Sequence, residues 1–136
     1  MSKRRSVIPL NREADAFALF TQLMPVTADV RGERIAFDAG SFAYLAGDEE
    51  RLERIGWIAE TLTNPLEIRQ DYDRRFPFRE IYFNIVFQSE DDQEGEAFVV
   101  VVDRHVSLNF WTAFVCGPRC RAQVKKGKLL WSADPP

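Results

Sequence analysis

The chain has 136 residues, 46% of them hydrophobic, and a formal net charge of −3 at pH 7. This length fits one domain, residues 1–136, and eleven phenylalanines supply a core, which argues against wholesale disorder. The acidic balance argues against a general nucleic-acid coat protein, because such a domain would be basic throughout. The apolar runs are far shorter than the ~18 residues that a spanning helix needs. We therefore expect a cytoplasmic protein with no membrane partner.

Two helices are predicted in the first half of the chain. The first begins near Asn11 and ends near Pro25, and the apolar positions of its inner face are Ala14, Phe17, Ala18, Leu19 and Phe20. Asp48 is placed to cap the second helix, 49–62, in which apolar residues recur at helical spacing. Asn64-Pro65 ends it, because the residue before a proline is pushed out of helical geometry.

Strands dominate the second half. The predicted strands are 34–38, 79–87, 97–103, 108–115 and 128–131. Gly40 and Ser41 are expected to end the strand at 34–38, and the acidic segment 89–95 is predicted to be a hairpin loop. The strand at 97–103 is apolar throughout, as a central strand is. Helices followed by an antiparallel meander predict an α+β fold, with N-terminal helices packed on a small antiparallel sheet.

Charge is distributed unevenly along the last third. Residues 90–96 carry five acids, whereas residues 119–128 carry five cations and no acid. A buried strand beside a cationic segment builds an anion-binding face, for which the phosphate backbone is the commonest ligand. Each run is equally readable as a solvated loop. The two runs could also neutralise each other, within one chain or across a homodimer.

Cys116 and Cys120 lie four residues apart around Gly117-Pro118. Because the chain has a single histidine, a four-ligand zinc site within one subunit would need carboxylates. A disulfide would require a turn that brings the two sulfurs together. We expect free thiols, no metal and no other cofactor.

Few side chains suggest chemistry, since the sequence has no Ser/His/Asp signature and no Gly-rich phosphate loop. His105 follows the predicted central strand. Histidine is the readiest proton shuttle near neutral pH, although a turn residue at a strand end is the plainer interpretation. Arg69 and Arg79 bracket a segment that mixes arginines with aspartates, which is either a salt-bridged loop or a phosphate clamp.

Two polar side chains lie within predicted strands. Tyr82 projects to the opposite face from Phe83, and its ring could simply pack in the core with its hydroxyl in contact with water. Thr112 points with Phe110 and Phe114, which favours a satisfied hydroxyl over a catalytic one. Trp111 and Trp131 are more typical of packing anchors than of base-stacking platforms.

The order of short motifs over residues 48–131 resembles the phage-associated barnase/EndoU/colicin/RelE-like nuclease family. The motifs are the helix ending in Asn64-Pro65, the Ile68-Arg69 pair, Glu80-Ile-Tyr82-Phe83, Val99–Val102, Trp111-Thr-Ala-Phe114 and Lys125-Lys-Gly-Lys-Leu-Leu-Trp131. Residues 1–47 are then an N-terminal extension that carries a helix and a short strand.

This resemblance implies a metal-independent ribonuclease of toxin-like fold, in which the ribose 2′-OH is the nucleophile and cations stabilise the charge on phosphorus. Arg69 and Arg79 would grip the scissile phosphate. His105 or Tyr82 would transfer protons, and Thr112 would orient a phosphate oxygen. The residues that would bind the rest of the RNA are Arg119, Arg121, Lys125, Lys126 and Trp131.

One departure from the family pattern supports an alternative. Family members commonly carry a histidine ahead of, or at the start of, the helix that ends in Asn-Pro, whereas Ser41–Asp48 contains none here. The alternative is a catalytically inactive binding module of the same fold that docks a protein partner, such as an inhibitor. Salt dependence separates the two, because phosphate binding weakens steeply as salt rises.

Overall fold

The computed structural model describes residues 3–105 and 107–134. They form a mixed α+β structure whose elements are β1 (Ser6–Val7), a 3₁₀ turn (Glu13–Asp15), α1 (Ala16–Thr21), β2 (Val26–Ala28), β3 (Arg34–Ala36), α2 (Ala39–Ala46), α3 (Glu49–Leu52), α4 (Gly56–Thr63), β4 (Glu67–Gln70), β5 (Arg79–Phe87), β6 (Glu96–Arg104), β7 (Leu108–Val115), α5 (Pro118–Lys125) and β8 (Leu129–Ser132). In this part of the chain no helix is long and apolar enough to cross a membrane.

The strands form one sheet in the order β2-β3-β7-β6-β5-β4-β8, and β1 pairs with the end of β5. Strands β5 to β7 are the antiparallel meander that the sequence predicts, and β4 extends it by pairing antiparallel with β5. The expectation of a small antiparallel sheet holds only in part, because β1 runs parallel to β5 and β3 runs parallel to β7. Strands β1 and β2, which the sequence analysis did not predict, are only two and three residues long, too short for an alternating pattern to be visible.

Helices α1 to α4 cover one face of the sheet, which we call the inner face. From α4, Trp57 and Leu62 are fully buried, and the Trp57 ring meets Phe98 of β6 edge-on at 5.4 Å. Each such buried side chain contributes about 1.5–3 kcal/mol. The opposite face, which we call the outer face, carries α5, whose Val124 packs with Phe83.

Helix α1 begins later than predicted and buries a different set of residues. Its buried positions are Ala16 and Phe20, followed by Leu23, at spacings of four and three. Phe17 is instead 54% exposed, with its ring edge-on to Phe42 at 5.1 Å. Of the predicted inner face, Phe20 is buried and Leu19 is half-buried, whereas Ala14, Phe17 and Ala18 are exposed.

The second predicted helix is interrupted. Asp48 caps α3 as expected, since its carboxylate accepts the Arg51 N–H at 3.2 Å. The helix is then interrupted before Gly56, whose N–H donates to Oδ1 of Asn11 at 3.2 Å. The predicted end at Asn64-Pro65 is confirmed, because α4 stops at Thr63.

Two helices lie where the sequence analysis expected none. Gly40 and Ser41 belong to α2, which Asp38 caps by accepting the Ser41 N–H at 3.1 Å. The cationic segment contains α5, which has Pro118 in its first turn. A proline is tolerated there because the N–H groups of the first turn have no partner within the helix.

The turn into α5 brings Cys116 within 5.2 Å of Cys120, Cα to Cα, and the two form a disulfide. The expectation of free thiols is therefore wrong.

Candidate functional site

One end of the sheet gathers polar side chains from three adjacent strands. Arg79 of β5 lies opposite Asp103 of β6, which lies opposite Asn109 of β7. Directly opposed residues share a face, so this row lies on the outer face. His105 follows directly after β6, with Nε2 3.3 Å from Oδ1 of Asp103 and its side chain 64% exposed.

Asp103 and His105 form a wall shared by two cavities. On one side lies a cavity of about 400 Å³, the arginine cavity, which also takes in Arg74, Arg75, Phe76, Pro77, Phe78 and Arg79. On the other side lies a cavity of about 520 Å³, the tryptophan cavity, lined by Asp38, Gly40, Ser41, Tyr44, Asn109, Phe110 and Trp111. The single histidine thus stands between a cationic pocket and an aromatic one.

Arg79 is held in place by aromatic rings. Its guanidinium carbon lies 3.8 Å from the centre of the Phe76 ring and 4.8 Å from that of Trp111. Such cation–π contacts orient a guanidinium while leaving its N–H groups free for a ligand. Its buried Nε has no hydrogen-bond acceptor among the residues that the structure describes. Arg79 is therefore positioned for an anion.

The loop between β4 and β5 supplies the other arginines of this cavity. Arg75 pairs with Asp73 at 2.8 Å, and hydrogen bonding from Arg75 lowers the pKa of the Asp73 carboxyl to about 2. Arg74 is exposed and makes no ion pair with any described residue. The salt-bridged interpretation of this loop therefore holds for Arg75, and the phosphate clamp stays a prediction.

Arg69 lies elsewhere and makes structural contacts. Its Nε donates to Glu67 at 2.7 Å, and Nη1 donates to the carbonyl oxygens of Gly127 at 2.9 Å and Lys125 at 3.3 Å. These bonds fasten the turn between α5 and β8 to β4. At Gly127 a Cβ would lie 1.8 Å from the carbonyl oxygen of Gln70, so the glycine of the Lys-Gly motif permits a close approach of two backbones.

Tyr82 is fully buried on the inner face and lines neither cavity. Its hydroxyl donates to Oδ2 of Asp29 at 2.6 Å and accepts from Nη2 of Arg31 at 2.9 Å. Burial, followed by the bond to Asp29, raises the pKa of Tyr82 above its ordinary value. A phenol in this position is a poor proton donor or acceptor at neutral pH.

Thr112 is also buried, and its hydroxyl has no partner within the described part of the chain. A bulge in the pairing of β6 with β7 places it opposite Val101, on the outer face. Phe110 pairs with Val102 and belongs to the inner core instead. The expectation that Thr112 points with Phe110 is therefore wrong, because the bulge inserts one residue between them.

The predicted RNA-binding cations lie on and after α5. Arg119, Arg121, Lys125 and Lys126 are all exposed. The Nζ atom of Lys126 lies 5.3 Å from the ring of Tyr72, at the start of the arginine-bearing loop. No ion pair between described residues joins this segment to the acidic run 90–96, so the two do not neutralise each other within the chain. Glu96 pairs with Arg54 at 3.0 Å instead.

The two tryptophans have contrasting positions. Trp131 is partly buried and packs against the inner core, opposite Ile68. Trp111 is 54% exposed and lines the tryptophan cavity. The sequence analysis favoured packing anchors for both, while the family resemblance also placed Trp131 among the RNA-binding residues. The signal for Trp111 was the alternation in β7, where Leu108 and Phe110 are buried while Asn109 and Trp111 are exposed.

A metal site is not evident in the described residues, where no group of three or more His, Cys, Asp or Glu side chains is placed to hold an ion. The groups that do converge are an imidazole, a carboxylate and arginines. Proton transfer beside fixed cations is the arrangement that phosphodiester cleavage uses. The groups around the arginine cavity and the tryptophan cavity are therefore those expected of a nuclease-like protein.

Comparison with protein families agrees with this class. The family model described as phage-Barnase-EndoU-ColicinE5/D-RelE like nuclease2 matches residues 13–132. The chain belongs to this family, and the resemblance in the sequence analysis is confirmed. The match begins before α1, so it includes most of the segment that the resemblance left unexplained. Comparisons with curated proteins and with solved structures found no match.

Proposed function

We propose that this protein is a metal-independent ribonuclease that cleaves RNA by attack of a ribose 2′-OH on the adjacent phosphate. The observation that carries the proposal is the Asp103–His105 pair, which stands at 3.3 Å beside the arginine cavity. This places a proton-transfer group next to cations that can stabilise the charge developing on phosphorus.

The residues divide the chemistry between them. His105 takes the proton from the 2′-OH, and Asp103, 3.3 Å away, orients the imidazole. Arg79 binds the non-bridging oxygens of the scissile phosphate, and Arg74 binds a flanking phosphate. As the bond from O2′ to phosphorus forms and that to O5′ breaks, the imidazolium returns its proton to the leaving 5′-oxygen. The products are a 2′,3′-cyclic phosphate and a 5′-hydroxyl.

The position of α2 supports this use of His105. Residues 41–48 are the stretch in which the sequence analysis expected a family histidine, and Ser41 and Tyr44 from that stretch line the tryptophan cavity. This stretch therefore borders the same wall as His105. A histidine directly after β6 can therefore act at the same cavities as a histidine on α2 would.

The remaining candidates take supporting roles. Lys125, Lys126 and the exposed arginines of α5 bind phosphates beyond the arginine cavity, since Lys126 lies beside Tyr72 of the connecting loop. The proposal gives Arg69 and Tyr82 no contact with RNA, because their polar atoms are engaged within the protein. We also infer a single domain over residues 1–136, because Asp29 holds Tyr82 of β5.

The test is cleavage of labelled total RNA and transfer RNA in EDTA. We expect discrete fragments from the wild type, and a rate about 10²–10⁴ lower in His105→Ala, the range that a general acid–base group supplies. Arg79→Ala should be similarly impaired. Arg12→Ala is the matched control, because Arg12 is exposed and pairs only with the nearby Asp15.

Two results would contradict the proposal. One is full activity in His105→Ala. The other is the absence of cleavage at high enzyme concentration together with the absence of salt-sensitive RNA binding. The second result would favour the binding module, in which the same cations dock an acidic protein inhibitor.

A further inference from the structure

We propose that the tryptophan cavity binds one unpaired nucleobase of the RNA and selects bases that carry an exocyclic amino group, which are guanine, cytosine and adenine, over uracil. The proposal rests on the proposed ribonuclease function and adds a specificity site to it. The cavity is separate from the arginine cavity and shares with it only the wall of Asp103 and His105.

The size and the aromatic lining of the cavity fit a planar ring. Its volume of about 520 Å³ falls within the range of small-molecule sites. Trp111 and Tyr44 reach it from different elements, β7 and α2, and each is 54% exposed. Exposed aromatic rings beside a cationic surface are the stacking platforms of proteins that bind single strands.

The polar groups of the cavity are mainly hydrogen-bond acceptors. Asp38 uses Oδ1 to accept the Ser41 N–H at 3.1 Å, while its Oδ2 receives no hydrogen bond from any described residue. Asn109 donates through Nδ2 to the Ser107 carbonyl at 3.2 Å, which leaves its Oδ1 as an acceptor. Asp103 adds a second carboxylate.

This set of acceptors favours a base that presents N–H donors. Carboxylates in proteins accept hydrogen bonds from base amino groups, such as N4 of cytosine. Uracil has two carbonyl oxygens on either side of its single N–H, and these oxygens would face the carboxylates. A site built to pair with an N–H group rejects an analogue that lacks it, because buried polar groups are then left unpaired.

The charge of the two cavities determines which part of a nucleotide each receives. Asp103 repels a phosphate from both cavities, but Asp38 adds to that repulsion in the tryptophan cavity, whereas Arg74 and Arg79 offset it in the arginine cavity. A nucleotide that spans the wall therefore places its phosphate in the arginine cavity and its base in the tryptophan cavity. Its ribose then lies over His105, where the 2′-OH must lose its proton.

The experiment measures binding without cleavage. Fluorescein-labelled pentamers U-U-X-U-U, in which X is G, C, A or U and every nucleotide is a 2′-deoxynucleotide so that the reaction is blocked throughout, are titrated with the whole protein in EDTA and followed by anisotropy. We expect the pentamers with G, C or A to bind at least about fivefold more tightly than the all-uracil pentamer, the lower bound for one good base contact. Trp111→Ala should weaken all four by about tenfold.

The decisive variant is Asp38→Asn, compared with Asp48→Asn. Asparagine caps a helix as well as aspartate does, so α2 and α3 should both persist. Asp38→Asn should reduce or abolish the preference over uracil, and Asp48→Asn, outside the cavity, should retain it. Circular dichroism of both variants checks that the fold persists.

The outcomes separate this proposal from the ribonuclease function. Equal binding of the four pentamers, no binding of any, or an unchanged preference in Asp38→Asn would overturn the base site, and cleavage of RNA could still stand. A preference that depends on Asp38, in a protein that cleaves no RNA, would support the base site and refute the ribonuclease function.

Discussion

Replacing Tyr82 by phenylalanine separates a structural tyrosine from a catalytic one. The change removes a hydroxyl that donates to the fully buried carboxylate of Asp29 at 2.6 Å. Asp29 keeps the N–H groups of Arg31 and Glu33, each at 2.8 Å, so the variant does not strand the carboxylate. It loses this charged hydrogen bond and also the one that Arg31 donates to the hydroxyl at 2.9 Å, although Arg31 keeps its bond to Glu80. Such a bond contributes about 1.5–3 kcal/mol to the free energy of unfolding.

For a domain of this size, that loss lowers the midpoint of thermal unfolding by about 5–15 °C. Differential scanning calorimetry measures the shift, and Tyr72→Phe is the matched control. Tyr72 is 46% exposed, so its variant should remain within about 0.5 kcal/mol of the wild type. The cleavage rate of Tyr82→Phe should stay near that of the wild type. A variant of unchanged stability that had lost cleavage would refute this reasoning, since Tyr82 would then be the proton-transfer group.

Three further changes test other contacts. Gly127→Ala should cost about 1–3 kcal/mol in urea unfolding, because the new methyl would meet the Gln70 carbonyl, whereas Gly117→Ala meets nothing within 4 Å and should cost far less. Arg69→Ala should destabilise the protein while leaving salt-dependent RNA affinity intact; a lost salt dependence would restore Arg69 as a phosphate clamp. Glu60→Gln should be less stable than the wild type at pH 7, and the gap should narrow as the pH falls below about 4.3, the unfolded pKa of a glutamate.

The sign of the last prediction follows from the hydrogen bonds of Glu60. Burial alone would raise its pKa, but bonds from Asn64, Ser6 and Arg4 lower it below the ordinary value. A carboxyl whose pKa is lowered by folding stabilises the fold above its unfolded pKa of about 4.3, and this stability is lost as the pH falls through the folded pKa. A gap between the two proteins that widened in acid would contradict this assignment.

The long strands could be predicted from sequence because their patterns are long. β5 and β7 have the bounds that alternation indicates, and β6 extends the predicted central strand by one residue at each end. Of the short strands, β3 and β8 were predicted as 34–38 and 128–131, β4 was indicated only by the Ile68-Arg69 motif, and β1 and β2 were not predicted. The pairing of the short strands could not be predicted, because Ile35 of β3, for example, lies opposite Leu108, far along the chain.

The candidate site was predictable in kind but only partly in its residues. His105 and Arg79 were found because the residue types alone suggest proton transfer by a histidine and anion binding by clustered arginines. Asp103 was missed because only the register of the sheet places it beside Arg79. Tyr44 was missed for a similar reason, since its helix was not predicted and its approach to Trp111 is a matter of tertiary packing.

The motifs behind the family resemblance are largely structural. Asn64 of the Asn-Pro motif donates to Glu60 at 2.8 Å, and the glycine of the Lys-Gly motif admits the Gln70 carbonyl. The fold requires the geometry of these residues, so they indicate the fold more clearly than they indicate an active site.

The chemical form of the RNA ends tests the central claim most directly. An RNA oligonucleotide that the wild type cuts is incubated in EDTA, and the fragments are analysed by mass spectrometry. A parallel substrate carries a single 2′-deoxyribose at the cut position. The account predicts 2′,3′-cyclic phosphate ends from the first substrate and no cut at that position in the second, with His105→Ala inactive on both. Cleavage of the 2′-deoxy substrate, or products with 3′-hydroxyl ends, would contradict it.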